Sequence, residues 1–428
     1  MNRNSIFDFL SSIIAIIAGL AVGLLVLLVS DSTSVIAAVI VMLVALIVGI
    51  IVLVICRRSP KISNSTAKYA GVGIVFLGVF IGFIILAITS EVAFPAFRTI
   101  LTHGVGSMRS VGNVLLSATP IILTGLSVAF AYKTGLFNIG ATGQFMFGAF
   151  VAIYIGVEFT FLPPPVRILS SILAAALAGA LWGAVPGLLK AFRNVHEVIA
   201  CIMTNYIAMY IVTYMIRTFI FDQGRATTLP LPDDSNLPTL GMERIFYEVT
   251  AAGVRHSRVN IGILIAIVVA IIIYIILEKT TFGYELKACG FNRDAARYAG
   301  INEKKSIISS MMICGALAGI GGALHFMNGT GLSMRASEDL AMEGFTGISV
   351  AFLGLNNPIG IIFSGIFISY LVQGGTAIQA LGFNIELVEV VISVIIYFCA
   401  FVLVVKTFLG SIGDKFGKKH KAGEGEST

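Results

Sequence analysis

The most strongly charged stretch of the sequence, residues 278–305, lies between two long apolar runs at 261–277 and 307–326. It reads EKTTFGYELKACGFNRDAARYAGINEKK. Four of its alanines fall on one face of an ideal helix, away from the basic side chains: Ala288, Ala295, Ala296 and Ala299. Gly283, Gly290 and Gly300 should break the stretch into short pieces. The alanine spacing predicts a short amphipathic helix with a small-residue face that a partner protein can approach closely. The alternative is a solvated loop that only sets the topology, because charge runs usually are solvated faces.

Residues 283–301, GYELKACGFNRDAARYAGI, resemble the coupling segment of the permease subunits of bacterial ABC importers of the ribose, branched-chain amino acid and nucleoside type. That segment usually has a glycine, a basic-Ala pair, Gly-x-Asn, a pair of alanines and Gly-Ile. In this family it docks on the ATP-hydrolysing subunit. The resemblance implies a role in ATPase coupling for Gly283, Glu285, Lys287, Ala288, Gly290, Asn292, Arg293, Ala295, Ala296, Arg297 and Gly300. We call residues 278–305 the coupling segment and expect it in the cytoplasm.

Amide side chains interrupt the apolar sequence at 135–149, GLFNIGATGQFMFGA. Asn138 and Gln144 must find partners inside the protein if they lie at membrane depth, or they must line a cavity. Packing alone is the alternative, with glycines for close helix contact and amides as ties. The stretch is similar to the same family's Phe-Asn-Ile-Gly-x-x-Gly-Gln pattern, although Thr142 stands where the family often carries an acidic residue.

A second interrupted segment, 344–360, reads GFTGISVAFLGLNNPIG, and Asn357-Pro358 should end its helix. Interrupted segments in both halves of a transporter indicate the substrate path. This one resembles the nucleoside-type branch of the family. So does HEVIACIMTNY at 196–206, in which His196 replaces the usual asparagine. The resemblance therefore favours nucleosides over ribose-like sugars or branched-chain amino acids.

Five residues are our candidates for the substrate path: Asn138, Gln144, Asn205, Tyr206 and Phe345. A nucleoside offers a flat base and ribose hydroxyls, on which aromatic rings can stack and to which amides can hydrogen-bond. If Asn205 contacts substrate, Asn205→Ala should lower transport without lowering membrane abundance. Alternatively, Tyr206 is packing and Asn205 is an interhelical tie.

Motifs for catalysis and nucleotide binding are missing. The sequence contains no GxxxxGK[ST], HExxH or GxSxG, and no paired carboxylates within an apolar run. We therefore expect no enzyme activity and no cofactor on this chain, with Mg-ATP on the partner ATPase. The other classes are a membrane enzyme, which these absences disfavour, and an ion-coupled secondary transporter. The latter leaves the charged stretch unexplained.

Composition sets the fold class. The chain of 428 residues is 57% hydrophobic and 12% charged, with a mean hydropathy of +0.97, which predicts a single all-α bundle of ten to twelve spanning or partly spanning helices over 1–428. Within it, Gly315, Gly319 and Ala323 form a small-residue ridge for packing inside the chain or against a second permease. Ten runs are long enough to span: 9–30, 35–56, 69–89, 111–132, 168–189, 198–221, 259–277, 306–327, 360–379 and 385–405. Two shorter candidates lie near 143–157 and 341–355.

Charge sets the expected orientation. With the N-terminus in the cytoplasm, 19 of the 28 lysines and arginines fall inside, including every lysine. We thus predict a multi-pass protein of the bacterial cell membrane with both termini cytoplasmic and a flexible tail at 410–428.

The external loop, 222–258, either contacts a substrate-binding (lipo)protein or is merely solvated. The family implies a second, related permease. The net charge of +6 is modest, so besides membrane lipid we expect no nucleic-acid partner.

Overall fold

The computed structural model describes Phe83 and residues 92–251, 253–383 and 389–394. They belong to two compact units. The larger unit is Thr102–Gly374, and the smaller one contains the described residues before Thr102 and after Gly374. In the smaller unit, Phe97 packs edge-on against Phe83 with the ring centroids 5.0 Å apart. Each unit is considered by itself below.

Helices make up most of the described chain, and we number them from its first described helix. Their bounds are α1 Ala93–Thr102, α2 Met108–Lys133, α3 Ala141–Glu158, α4 Pro164–Arg193, α5 Glu197–Phe219, α6 Gly262–Lys279, α7 Thr281–Phe291, α8 Arg293–Tyr298, α9 Glu303–Phe326, α10 Met342–Leu353 and α11 Pro358–Ile378. Four short strands are also present: β1 Phe221–Asp222, β2 Thr227–Thr228, β3 Tyr247–Thr250 and β4 Gly253–His256. β1 pairs antiparallel with β2, and β3 with β4.

Seven described helices are long and apolar enough to cross a membrane: α2, α3, α4, α5, α6, α9 and the stretch Pro358–Leu381. The predicted polytopic helical membrane protein is therefore confirmed. The segment near 143–157 is a full helix of 18 residues, while α10 is shorter. The predicted spans at 9–30 and 35–56, that at 69–89 except for Phe83, most of 385–405, and the tail at 410–428 lie outside the described residues. The total of ten to twelve spans stays a prediction.

Helix α9 is central in the larger unit because small residues allow its neighbours to approach closely. A Cβ atom on Gly315 would collide with the Gly179 carbonyl oxygen of α4, and one on Gly319 with the Ala175 carbonyl oxygen. Gly148 of α3 meets Gly319 in the same way. The predicted small-residue ridge thus packs within the chain, where backbone contact replaces side-chain interdigitation.

The two ends of the larger unit differ. One end carries the coupling segment and the turn after α2. The other carries residues 221–258 and the connection between α9 and α10, which hydrogen-bond each other from Leu237 N to Met327 O at 2.8 Å. There the Arg167 guanidinium, only 1% exposed, lies 2.5 Å from the Asp234 carboxylate. The external loop of the sequence prediction is therefore folded, with β1 to β4 and two 3₁₀ turns.

Candidate functional site

The turn before α3 brings buried amides together. Asn138 is fully buried and donates from Nδ2 to Gln144 Oε1 at 2.9 Å and to Ser127 Oγ at 3.1 Å. Gln144 Nε2 donates back to Asn138 Oδ1 at 3.3 Å. Both amides thus find partners inside the protein, as their depth requires. The expectation of internal partners is confirmed for this pair.

Asn205 joins this cluster from α5. Its Oδ1 accepts from the Gly143 N–H at 2.9 Å and its Nδ2 donates to the Ile139 carbonyl at 3.0 Å. The first turn of α3 needs such a partner because Gly140, which precedes it, has no side chain with which to cap the helix. Asn205 is 2% exposed, and both ends of its amide are engaged. The geometry is that of an interhelical tie, and contact with substrate stays a prediction.

The other two candidates lie apart from this cluster. Tyr206 is on the outer side of α5 and is 49% exposed. Phe345 is half-buried on α10, next to Gly344, which rests on the backbone of Thr142 in α3. The structure therefore brings three of the five candidates together, Asn138, Gln144 and Asn205, around the start of α3. Tyr206 belongs to a different surface.

The coupling segment forms two helices rather than one. α7 ends at Phe291 and α8 begins at Arg293, with extended backbone at Asn292 between them. The Asn292 Oδ1 accepts from the Ala295 N–H at 3.0 Å, which caps α8. The expected division into short pieces is confirmed. The prediction that one helix carries all four alanines on one face was wrong, because this cap starts a new helix after Ala288. On α8, Ala296 is buried, while Ala295 and Ala299 at its end are exposed.

Each coupling-segment glycine has a structural reason. Gly283 packs against the backbone of Leu277 at the end of α6. Gly300 has φ +85°, a left-handed conformation that ends α8, and the Ile301 N–H bonds to Ala296 O at 3.0 Å. A Cβ on Gly290 would lie 2.5 Å from Lys133 O and 3.0 Å from Gly135 N. The absence of a side chain at Gly290 therefore lets the end of α7 contact the backbone of the turn after α2 directly.

The contact of Gly290 with this turn connects the coupling segment to the buried amides. The turn Lys133–Gly135 is three residues from Asn138 along the chain. Thr134 at its centre is buried, and its Oγ1 lies 2.9 Å from the Ser310 Oγ of α9. A contiguous path of packed backbone and hydrogen bonds runs from α7 through the turn to the start of α3. Sequence reasoning did not identify this turn, because no local pattern links segments so far apart in the chain.

The exposed side of the coupling segment is aromatic and charged. Tyr284, Phe291 and Tyr298 follow one another at seven-residue intervals and are 69%, 90% and 97% exposed. Glu285 and Arg297 are exposed as well, whereas Lys287 pairs with Glu278 at 3.0 Å. Large apolar side chains so exposed are typical of an interaction surface. Their regular spacing is a sequence signal that could have indicated this surface.

Comparisons with known proteins show the family of this chain. Residues 110–400 match the family described as branched-chain amino acid transport system / permease component. The chain is 36% identical to the nucleoside ABC transporter permease protein NupB of Lactococcus lactis over 73% of this chain and 85% of the relative. It is 36% identical to the guanosine ABC transporter permease protein NupP of Bacillus subtilis over 74% and 88%. A glucose ABC transporter permease protein of Haloferax volcanii, TsgB13, is 30% identical over 71% and 79%. No solved structure matches.

Proposed function

This chain belongs to the family of branched-chain amino acid transport system permease components, and from that premise we propose that the substrate it carries is a nucleoside. It is a permease subunit of an ABC importer, a multi-pass membrane protein and a transport protein rather than an enzyme. An ABC permease works with an ATPase and a substrate-binding protein. On this proposal Mg-ATP binds to the ATPase, and this chain supplies the route through the membrane.

The observation that carries the nucleoside proposal is the equal, 36% identity to two permeases named for nucleosides and guanosine, each over most of both chains. The motif at 344–360, which lies within the stretch that matches the family, also resembles the nucleoside-type branch. The 30% identity to a glucose permease makes a hexose the second candidate substrate. A base and a sugar ring differ in chemistry, since only the base offers an aromatic face for stacking.

The coupling route that we propose starts at the exposed side chains of the coupling segment. Phe291 and Tyr298 dock on the ATPase, with Arg297 and Glu285 at the rim of the contact. Motion of the ATPase then moves α7, and Gly290 transfers it to the turn Lys133–Gly135. From this turn it reaches the start of α3 through Asn138. Alternating access follows if that turn has two arrangements whose populations ATP binding changes.

The orientation that we propose places the coupling segment in the cytoplasm and the folded loop 222–258 outside. All lysines of the coupling segment then lie at the inner end, together with Lys133 and Lys190, in accord with the positive-inside rule. Outside, the exposed Arg225 and Arg244 contact the binding protein. A related second permease completes the pore.

The test is uptake of labelled guanosine, uridine and glucose by a strain that lacks the gene and by the same strain with the gene restored. Guanosine or uridine uptake should return with the gene. Restored glucose uptake alone would indicate that the substrate is a hexose.

Reversing the charges of Arg225 and Arg244 together should weaken uptake mainly at low substrate concentration, because capture by the binding protein then limits the rate. Unchanged uptake by that variant would exclude these arginines from the contact.

A further inference from the structure

One exposed helix face in the larger unit differs in chemistry from its counterparts. On α5, Tyr206, Tyr210 and Tyr214 follow one another at four-residue intervals and are 49%, 55% and 70% exposed. Residues four apart on a helix lie on nearly the same side and about 6 Å apart along the axis. The three rings therefore form a row roughly 12 Å long. We call these three residues the tyrosine ladder.

The exposed face of α5 also carries Met203, Ile207 and Ile211, whereas the exposed faces of α4 and α6 are aliphatic in the middle of each helix and carry no row of tyrosines. Their large exposed side chains in the middle of each helix are Leu169, Leu173, Leu177 and Leu181 on α4, and Leu264, Val268, Ile271, Ile272 and Ile275 on α6. Such faces suit lipid tails, which are as apolar as leucine. The tyrosine ladder adds three phenol hydroxyls to an equivalent surface. Within the described part of the chain, no residue hydrogen-bonds those hydroxyls.

The depth of Tyr206 and Tyr210 argues against lipid as their neighbour, whereas Tyr214 lies only five residues before Phe219, the last residue of α5. Tyr206 follows Glu197 by nine residues and Tyr210 precedes Phe219 by nine. Each is thus about 13 Å from the nearer end of α5. Tyrosines that face lipid are enriched at the two membrane-water interfaces, and an unbonded hydroxyl in hydrocarbon costs free energy. Water along this face removes that cost, so the depth favours an aqueous passage.

The polar surface continues beyond the ladder. At the end of α5 near Tyr214, Thr213 Oγ1 donates to Ser337 O at 3.0 Å and Arg217 Nη2 donates to Ala336 O at 3.2 Å. These bonds fasten the α9–α10 connection beside the ladder. That connection exposes three charged residues: Arg335, Glu338 and Asp339. A substrate that arrives at the loop end therefore meets polar groups first and the aromatic rings next.

We propose that the tyrosine ladder lines the substrate path and that the nucleobase stacks on its rings in succession during transport. This inference rests on the proposed function and names the residues that would recognise the substrate class. Stacking suits a path for several nucleosides, because every base has an aromatic face. The ribose hydroxyls can bond the phenol hydroxyls. The second permease closes the other side of the path. Asn205, adjacent to Tyr206, ties this helix to the turn that receives the coupling segment.

The first test asks whether water reaches the ladder in the whole transporter. Tyr206, Tyr210 and Tyr214 are replaced by cysteine one at a time, with Leu173→Cys and Leu177→Cys on α4 as lipid-facing controls. A charged methanethiosulfonate reagent reacts with the thiolate, which forms only where water is present. The unsubstituted chain gives the background, and its described cysteines are buried. The ladder positions should react about tenfold faster than the controls. Rates equal to the controls overturn the proposal.

The second test separates the ring from the hydroxyl. Tyr210→Leu should lower nucleoside uptake about tenfold at unchanged membrane abundance, and Tyr210→Phe should lower it less, because it keeps the ring for stacking and loses only the hydroxyl that can bond ribose. Equal uptake by Tyr210→Leu and the unaltered protein overturns the stacking role. If the unaltered protein carries no nucleoside, the proposed function fails by itself. The labelling rates, which need no substrate, then still decide whether the ladder faces water.

Discussion

Gly290 of the coupling segment lies against Gly135 with no side chain between them, so that backbone meets backbone. A Cβ on Gly290 would be 3.0 Å from Gly135 N and 2.5 Å from Lys133 O. Gly135 has φ +70°, which is itself a conformation that favours glycine. Such a contact transmits displacement with little slack, because no flexible side chain can absorb it. It links the proposed ATPase-docking surface to the turn that precedes the buried amides.

Gly290→Ala should therefore impair coupling more than folding. The added methyl forces α7 away from the turn, so uptake should fall about tenfold while membrane abundance falls less than about twofold. Uptake per amount of protein in the membrane is the measurement. Gly224→Ala is the matched control, because a Cβ there meets only the Asp222 carboxylate at 3.4 Å. Equal behaviour of the two variants would exclude Gly290 as a coupling contact.

The exposed aromatic residues of the coupling segment should bind the ATPase. Phe291→Ala and Tyr298→Ala together remove two side chains that are 90% and 97% exposed, so the chain itself should keep its stability. Aromatic anchors at interfaces cost more than about 2 kcal/mol when truncated, and co-purification of the ATPase should drop accordingly. Phe161→Ala, which is 77% exposed at the opposite end, should leave co-purification unchanged. A loss equal in both variants would contradict the docking role.

Glycine contacts along α9 should be needed for folding at selected positions only. At Gly315 a β-carbon collides with the Gly179 backbone, whereas at Gly321 of the same helix the nearest atoms are 3.4 Å away. Gly315→Val should lower the Tm of the detergent-purified protein by about 5 °C or more, because overpacking cannot be relieved against backbone. Gly321→Ala should change Tm by less than about 2 °C. Similar losses at both sites would refute selective packing.

The sequence anticipates those parts of the site that depend on local physics. Buried amides must find partners, so internal hydrogen bonds of Asn138 and Gln144 could be expected from their depth, although not that the two would bond each other. The left-handed Gly300 likewise fits a helix end. A break was expected at Gly290, but not that Asn292 would cap the next helix, because periodicity alone cannot show which residue caps a new helix. The contact between Gly135 and Gly290 could not be predicted, because it depends on how distant helices pack.

Which side chains of α5 are exposed could not be predicted from the sequence either. Asn205 and Tyr206 are neighbours, and the sequence makes both candidates for substrate contact. In the structure Asn205 faces α3, whereas Tyr206 faces away from the packed core. Only the tertiary packing of α5 against α3 decides which side of the helix is covered. The four-residue interval of the tyrosines was readable, but the same interval also fits a buried face.

The ion pair of Arg167 and Asp234 should stabilise the folded loop 222–258. Arg167 is 1% exposed and Asp234 is 56% exposed. Asp234→Asn leaves a buried guanidinium without its carboxylate, and solvent at Asp234 reduces the loss to about 1–2 kcal/mol. Protease resistance of the loop should fall accordingly. Asp233→Asn, at the neighbouring exposed carboxylate, should have almost no effect. If both variants resist protease like the unaltered protein, the pair has no such role.

Asn205 should prove necessary for assembly of the bundle, and this separates it from its neighbour Tyr206. Asn205→Ala leaves the Gly143 N–H and the Ile139 carbonyl without partners in a buried site, which costs about 1–3 kcal/mol. Membrane abundance and Tm should therefore fall together with uptake. Asn205→Asp retains the acceptor for Gly143 but not the donor and buries a carboxyl group, so it should not restore the Tm. Tyr206→Leu, at an exposed position, should lower uptake alone. If the Asn205→Ala protein reached full membrane abundance but its uptake were reduced, Asn205 would instead be a substrate contact, because a structural tie cannot be removed without a loss of stability.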